Sequence, residues 1–93
     1  MSQNTFQAPE RLYTDEQLAK LLEISSAVDC ECPNHLAKLV ENLIAFELYS
    51  KDCESRNEED AKIHAMLYQR SAEARAVMEK ALKELVIYEK LVV

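Results

Sequence analysis

The chain is short, acidic and free of glycine, and each property excludes a class of protein. Its 93 residues carry a net charge of −6 at pH 7 and are 48% hydrophobic, which suits one folded domain with a modest core. Without glycine, glycine-rich phosphate loops and tight left-handed turns are not expected, and an acidic surface repels nucleic acids and anionic lipids. We therefore expect an all-α protein that binds neither nucleic acid nor membrane directly.

The N-terminal part predicts an arm followed by a short helix. Residues 1–12 are mostly polar and are expected to form a disordered arm, whereas residues 13–93 are expected to form a single helical domain. Thr14 and Gln17 have the spacing of a capping box, which predicts a first helix over about Asp15–Ser25. Its stripe consists of Leu18, Leu21, Leu22 and Ser25.

A second helix is predicted to begin at a proline. Pro33 suits the first helical position, where a missing N–H is tolerated, so Cys32 is the expected N-cap. Residues with the three-four spacing of a helix–helix seam follow, and Lys51–Arg56 is the expected turn. The seam consists of Leu36, Leu39, Leu43, Phe46, Ser50 and Cys53, widened by Val40 and Ile44.

The third helix is predicted to be the longest. Asn57 is the expected N-cap, and the acidic residues 58–60 favour the positive end of the helix dipole. The helix is expected to continue to about Lys90 and to pair antiparallel with the second. Its expected seam consists of Ile63, Leu67, Arg70, Ala74, Val77, Ala81, Leu85 and Tyr88.

A partner subunit is expected because the third helix extends beyond the second. Its last residues are apolar on several faces, which one short helix cannot cover. These residues are Leu85, Val86, Ile87, Tyr88, Leu91, Val92 and Val93. The prediction is a homodimeric helical bundle.

Two cysteines and a histidine near the start of the second helix form a candidate metal site. Cys30, Cys32 and His35 are side chains that select zinc or another thiophilic metal. Cys53 cannot join them, because 18 residues of unbroken helix separate it from His35 by about 27 Å. A fourth ligand would come from water, a second subunit or the third helix.

The same cysteines allow two other interpretations. A thiol at a helix N-terminus has a lowered pKa and can act as a redox switch, although Asp29 and Glu31 oppose the thiolate. Cys53 is expected to be a small buried hydrophobe. His64 is expected to be a half-exposed polar residue.

Location and chemistry are expected to be those of a non-catalytic cytoplasmic protein. Three cysteines do not pair evenly into disulfides, residues 1–7 lack the pattern of a signal peptide, and no apolar run approaches the roughly 20 residues that span a bilayer. No nucleophile with an adjacent base is recognisable. We therefore do not expect an enzyme.

Two segments are similar to parts of bacterial regulators. Tyr13-Thr14-x-x-Gln17-Leu18-Ala19-Lys20 is similar to the opening of the helix-turn-helix in MerR-type regulators. Cys30-Glu31-Cys32-Pro33-x-His35-Leu36-Ala37, with Ala45-Phe46-Glu47-x-Tyr49-Ser50, Cys53-Glu54 and Asp60-Ala61-x-x-His64, resembles a C-terminal helical segment of some MerR-like proteins. The resemblance covers about Leu12 to Lys90. The chain lacks the wing and the basic recognition helix of a full regulator.

The resemblance implies a small bacterial regulatory or sensory module. In this interpretation Cys30, Cys32 and His35 report metal or thiol state to a dimer interface or to a partner regulator, and any DNA contact belongs to that partner. The alternative is a purely structural dimerisation module whose cysteines only pack and hold no metal.

Overall fold

The computed structural model describes residues 6–24 and 31–93, which form three α-helices and no strand. Helix α1 spans Asp15–Glu23, α2 spans Cys32–Asp52 and α3 spans Glu58–Tyr88. Helices α2 and α3 form an antiparallel hairpin, and α1 packs on α2. The predicted all-α architecture, a short helix followed by a hairpin with a long last helix, is confirmed. None of these helices combines the length and apolarity needed to cross a membrane.

Side-chain caps fix two of the helix starts, as the sequence predicts. The Thr14 hydroxyl accepts a hydrogen bond from the Gln17 backbone N–H at 3.1 Å, and the Gln17 side chain accepts one from the Thr14 N–H at 2.9 Å. The Asn57 side chain accepts a hydrogen bond from the Asp60 N–H at 2.8 Å. Each cap satisfies backbone donors that a helix start otherwise leaves unpaired.

The boundaries of α2 differ slightly from the prediction. Cys32, the expected N-cap, is the first helical residue, because the His35 N–H already bonds to the carbonyl of Glu31 at 3.0 Å. Glu31 is therefore the N-cap, and its side chain makes no capping bond. At the other end α2 continues through Asp52 and so includes the first two residues of the predicted turn, Lys51–Arg56. The predicted end of α1, Ser25, lies outside the described residues.

Helix α3 ends in a Schellman motif without glycine. The Leu91 N–H bonds to the Val86 carbonyl at 3.0 Å, and the Lys90 N–H bonds to the Ile87 carbonyl at 3.1 Å. This arrangement places Lys90 in the left-handed region at φ 57°, where glycine is usual because a Cβ is unfavourable there. The motif turns Leu91 back against the core.

We expect Lys90→Gly to raise the free energy of unfolding by about 0.5–1 kcal/mol, because glycine accepts the left-handed conformation without a Cβ clash. Urea denaturation would measure the change. Lys83→Gly, in the exposed interior of the same helix, is the control and should lower stability by about 1 kcal/mol. Destabilisation by Lys90→Gly would contradict this interpretation of the helix end.

The seam between α2 and α3 agrees with the prediction at some positions and lies one residue further along the helix at most others. On α2 the buried positions are Pro33, Ala37, Val40, Ile44, Glu47 and Ser50. On α3 they are Ser71, Ala72, Arg75, Glu79, Leu82 and Val86. Val40, Ile44 and Ser50 are buried as predicted. Most of the other predicted residues give way to their C-terminal neighbours, and since one residue corresponds to about 100° of rotation, each helix is turned toward that angle relative to the predicted stripe.

The charged residues at these seam positions form one buried cluster. Arg75 donates to both carboxylate oxygens of Glu47, from Nε at 2.9 Å and from Nη2 at 3.0 Å. Its Nη1 donates to Glu79 Oε1 at 2.9 Å. Arg75 and Glu79 are almost inaccessible, at 1% and 0% exposure, so these ion pairs lie in the interior of the hairpin. The pKa of Arg75 is raised, mainly by its hydrogen bonds to Glu47.

Backbone groups of the N-terminal segment complete the hydrogen bonding of this cluster. Arg75 Nη2 donates to the Pro9 carbonyl at 2.8 Å, and Nη1 donates to the Glu10 carbonyl at 3.4 Å. The Leu12 N–H donates to Glu79 Oε2 at 3.0 Å. The segment therefore supplies hydrogen bonds to Arg75 and Glu79 that the two helices leave unmade, and these bonds offset the cost of burying the charges.

The part of the arm that the structure describes is docked rather than disordered. In addition to the backbone hydrogen bonds of this segment, its Phe6 side chain packs edge-to-face on Tyr68, with ring centroids 5.6 Å apart. Residues 6–12 thus differ from the prediction, because the polar sequence gave no sign that their carbonyls would meet a buried guanidinium. Residues 1–5 lie outside the described residues. Tyr13, which follows, is buried, and this burial, with a smaller contribution from Glu79, raises its pKa.

We expect Arg75→Met to lower the free energy of unfolding by about 3–5 kcal/mol, because it leaves two buried carboxylates without their partner. Arg70→Met is a matched control, since Arg70 pairs with Glu73 on the same helix at 2.8 Å but in solvent; its loss should be at most about 1 kcal/mol. Urea denaturation at pH 7 measures both. Equal losses would show that the buried cluster does not organise the hairpin.

Candidate interaction face and cysteine–histidine segment

The predicted metal ligands lie at the exposed start of α2. Cys32 is exposed, and His35 Nε2 is 3.7 Å from Glu31 Oε1, with both side chains about three-quarters exposed. Cys30, the third predicted ligand, lies outside the described residues. Within residues 6–24 and 31–93, no three Cys, His, Asp or Glu side chains are grouped closely enough to hold a metal ion. The site of Cys30, Cys32 and His35 therefore stays a prediction.

The other cysteine and histidine lie at the loop end of the hairpin. Cys53 follows the last residue of α2 and is half-buried, with Sγ 3.8 Å from the Glu54 carbonyl oxygen. His64 is half-exposed, as predicted, and its Nδ1 is 3.1 Å from Ser55 Oγ. The unbroken α2 separates this end from His35, so the two ends cannot share one metal ion.

The rotation of the two helices turns their predicted stripes toward the surface. A shift of one residue turns two antiparallel helices in opposite senses, so both stripes finish on the same side of the hairpin. Together they form one surface, which we name the open face. Its residues are Leu36, Leu39, Leu43 and Phe46 on α2 and Ala74, Val77, Met78, Ala81 and Leu85 on α3.

Much of the open face is exposed to solvent. Leu39 is 44% exposed, Phe46 43% and Val77 58%, whereas Leu36 and Met78 are partly buried against the core and form its floor. Tyr49 extends the edge by stacking on Phe46, with ring centroids 6.4 Å apart. Exposed apolar side chains that share one surface are more informative than scattered ones.

Helix α1 covers the opposite side of α2. The Asn34 side chain donates to the Leu22 carbonyl at 2.8 Å, and Asp15 lines a shallow pocket with Glu41, Asn42, Ile44, Ala45 and Leu48. At 100° per residue, positions 34, 41 and 48 lie roughly opposite Leu39 and Phe46. Thus α1 leaves the open face uncovered.

Charge is nearly absent from the open face. None of its named residues is ionisable. The charged residues of α3 that border it lie three or four positions from Ala74, Val77 or Ala81: Arg70, Glu73, Lys80 and Glu84. Elsewhere the chain is rich in charge, at 30% of its residues. One local signal in the sequence was available: Arg75 and Glu79 are oppositely charged and four residues apart, a spacing that brings them together on one side of α3.

No family, no curated protein and no solved structure matches this chain. The similarity to MerR-like segments therefore remains a proposal.

The metal-site prediction can be tested by substitution. We expect the chain to bind zinc stoichiometrically when it is purified reduced and without chelator, and a Cys30→Ser, Cys32→Ser double variant to lose that zinc. Cys53→Ser is the matched control and should keep it, since Cys53 lies at the other end of α2. Native mass spectrometry measures the bound metal, and equal metal content in all three proteins would contradict the predicted site.

Proposed function

We propose that this chain is a helical protein–protein interaction module that binds an apolar helical surface through its open face. One observation carries the proposal: two packed helices present a nearly uncharged apolar surface that α1 and the N-terminal segment leave uncovered. An amphipathic partner helix or helix pair buries such a surface by placing side chains between the stripes.

The residue types on the open face support binding rather than chance exposure. Phe46 provides the large rigid contact that concentrates binding energy in protein interfaces. Leu39 and Leu43 precede Phe46 at helical spacing, so a partner helix meets three large apolar side chains in one row. The fold does not need to bury these three side chains for its own stability, because its core is formed by the neighbouring seam positions.

We also propose that the module is regulatory, with the start of α2 as its sensory end. Cys32 precedes Leu39 by seven residues and therefore lies on the same side of α2 as the open face. A metal ion or an oxidant at Cys30, Cys32 and His35 would act at one end of the binding surface. The resemblance to bacterial MerR-like regulators agrees with this role, in which a DNA-binding partner compensates for the acidic charge.

The competing function is purely structural assembly. In that case the thiols pack or remain inert, and partner binding does not depend on metal or redox state. Measuring partner binding with and without zinc, and with reduced and oxidised protein, separates the two functions.

Site-specific photo-crosslinking in the cells that naturally produce the protein tests the interaction function. A photoreactive amino acid at Leu39 or Val77 should crosslink to a protein, because these positions are exposed on the open face. The same amino acid at Lys38 or Lys80, which are exposed on other sides, should crosslink at least roughly tenfold less if binding is confined to the face. Equal yields at all four positions would refute the proposed function.

A further inference from the structure

We infer that the partner on the open face is a second copy of this chain, related by a two-fold axis that runs parallel to α2 and α3. The inference rests on the proposed interaction function and specifies its partner. Two features carry it: the charge and the shape of the face.

The charge of the face favours an identical partner. Two copies of a chain with net charge −6 repel each other over most of their surfaces. The open face is the exception, because α2 contributes no charge to it and the nearby Arg70 is paired with Glu73 at 2.8 Å. A basic partner would be attracted to the acidic surfaces instead, so the open face suits a surface that is as apolar as itself.

The shape of the face is self-complementary. Its α2 stripe presents the large side chains of Leu39, Leu43 and Phe46, whereas its α3 stripe includes the small Ala74 and Ala81. A two-fold axis parallel to the helices places α2 of one copy over α3 of the other. The large α2 side chains then lie along a stripe in which the small Ala74 and Ala81 alternate with larger residues, and these alanines leave grooves for close helix packing.

The register of that packing follows from the buried cluster. Glu47 and Arg75 lie at the same level of the hairpin, because they are bonded at 2.9 Å. An axis parallel to the helices preserves this level, so Phe46 lies between the levels of the partner's Ala74 and the partner's Val77, and Leu39 lies between those of the partner's Ala81 and the partner's Leu85. A perpendicular axis would instead place α2 on α2 and leave the alanines facing each other across a gap.

The area of the face indicates a weak dimer. The open face runs from Leu36 to Phe46 on α2 and from Ala74 to Leu85 on α3, about 16 Å along the hairpin, and the molecule is 20 Å across. Each copy therefore contributes roughly 300 Å² from this face, less than the about 800 Å² of a standard interface, which corresponds to a weak, concentration-dependent dimer. The result is a four-helix arrangement of two antiparallel hairpins, with α1 of each copy on the outside.

Sedimentation velocity over a range of concentrations tests the inference. The sedimenting mass of the wild-type chain should rise with concentration toward a dimer of twice 10.7 kDa, and its urea midpoint should rise with protein concentration. Leu39→Gln should weaken the dimer at least roughly tenfold, since it removes a large apolar contact. Leu48→Gln is the matched control: Leu48 is a similarly exposed leucine of α2 on the α1 side and should change dimerisation less than about threefold.

A second pair of variants avoids any loss of folding. Ala74→Lys places a charge on the open face at an exposed alanine, and Ala65→Lys does the same on another side of α3. Helix propensity changes little in either, and circular dichroism checks that both stay helical. The expected result is a monomer for Ala74→Lys and a dimer for Ala65→Lys.

The outcomes separate the two proposals. A wild-type chain that stays monomeric at all concentrations, or an Ala74→Lys variant that dimerises normally, overturns the inference of a second copy. If crosslinks from Leu39 then identify a different protein, the interaction function stands with another partner. If Leu39 and Val77 also crosslink to nothing, both proposals fail.

Discussion

The ion cluster of Arg75, Glu47 and Glu79 is the constraint on which the rest of this structure depends. A guanidinium at 1% exposure is tolerated only where every donor has a partner, and here two helices and the N-terminal segment supply those partners. Removing water from three charges opposes folding unless the geometry is nearly complete. The cluster therefore fixes the rotation of α2, the rotation of α3 and their register at the same time.

That rotation links stability to the proposed function. With charged residues in the seam, the apolar stripes on either side cannot both be buried within one chain of this size. Helix α1 covers one side of α2, and the other side remains open. A hairpin held together by polar contacts can thus present an apolar surface to a partner without unfolding, which is the property that an assembly module needs.

Some parts of the candidate site were predictable from the sequence, and others were not. The Cys32-Pro33-x-His35 segment was recognisable as the start of a helix, and the structure places it there. The open face was not predicted as a surface, because Leu39, Phe46 and Val77 have the spacing of a buried seam. Periodicity identifies which residues share a side of a helix, but it does not say which side faces the core.

The sequence by itself determined the helices and their order, since Thr14, Pro33 and Asn57 act on neighbouring backbone groups. Only the tertiary structure decided how those helices are rotated and what residues 6–12 do. The physical reason is that Arg75 obtains its partners from positions 28 and 65 residues away. Its burial is favourable only when all those groups converge, and no local pattern in the chain records that convergence.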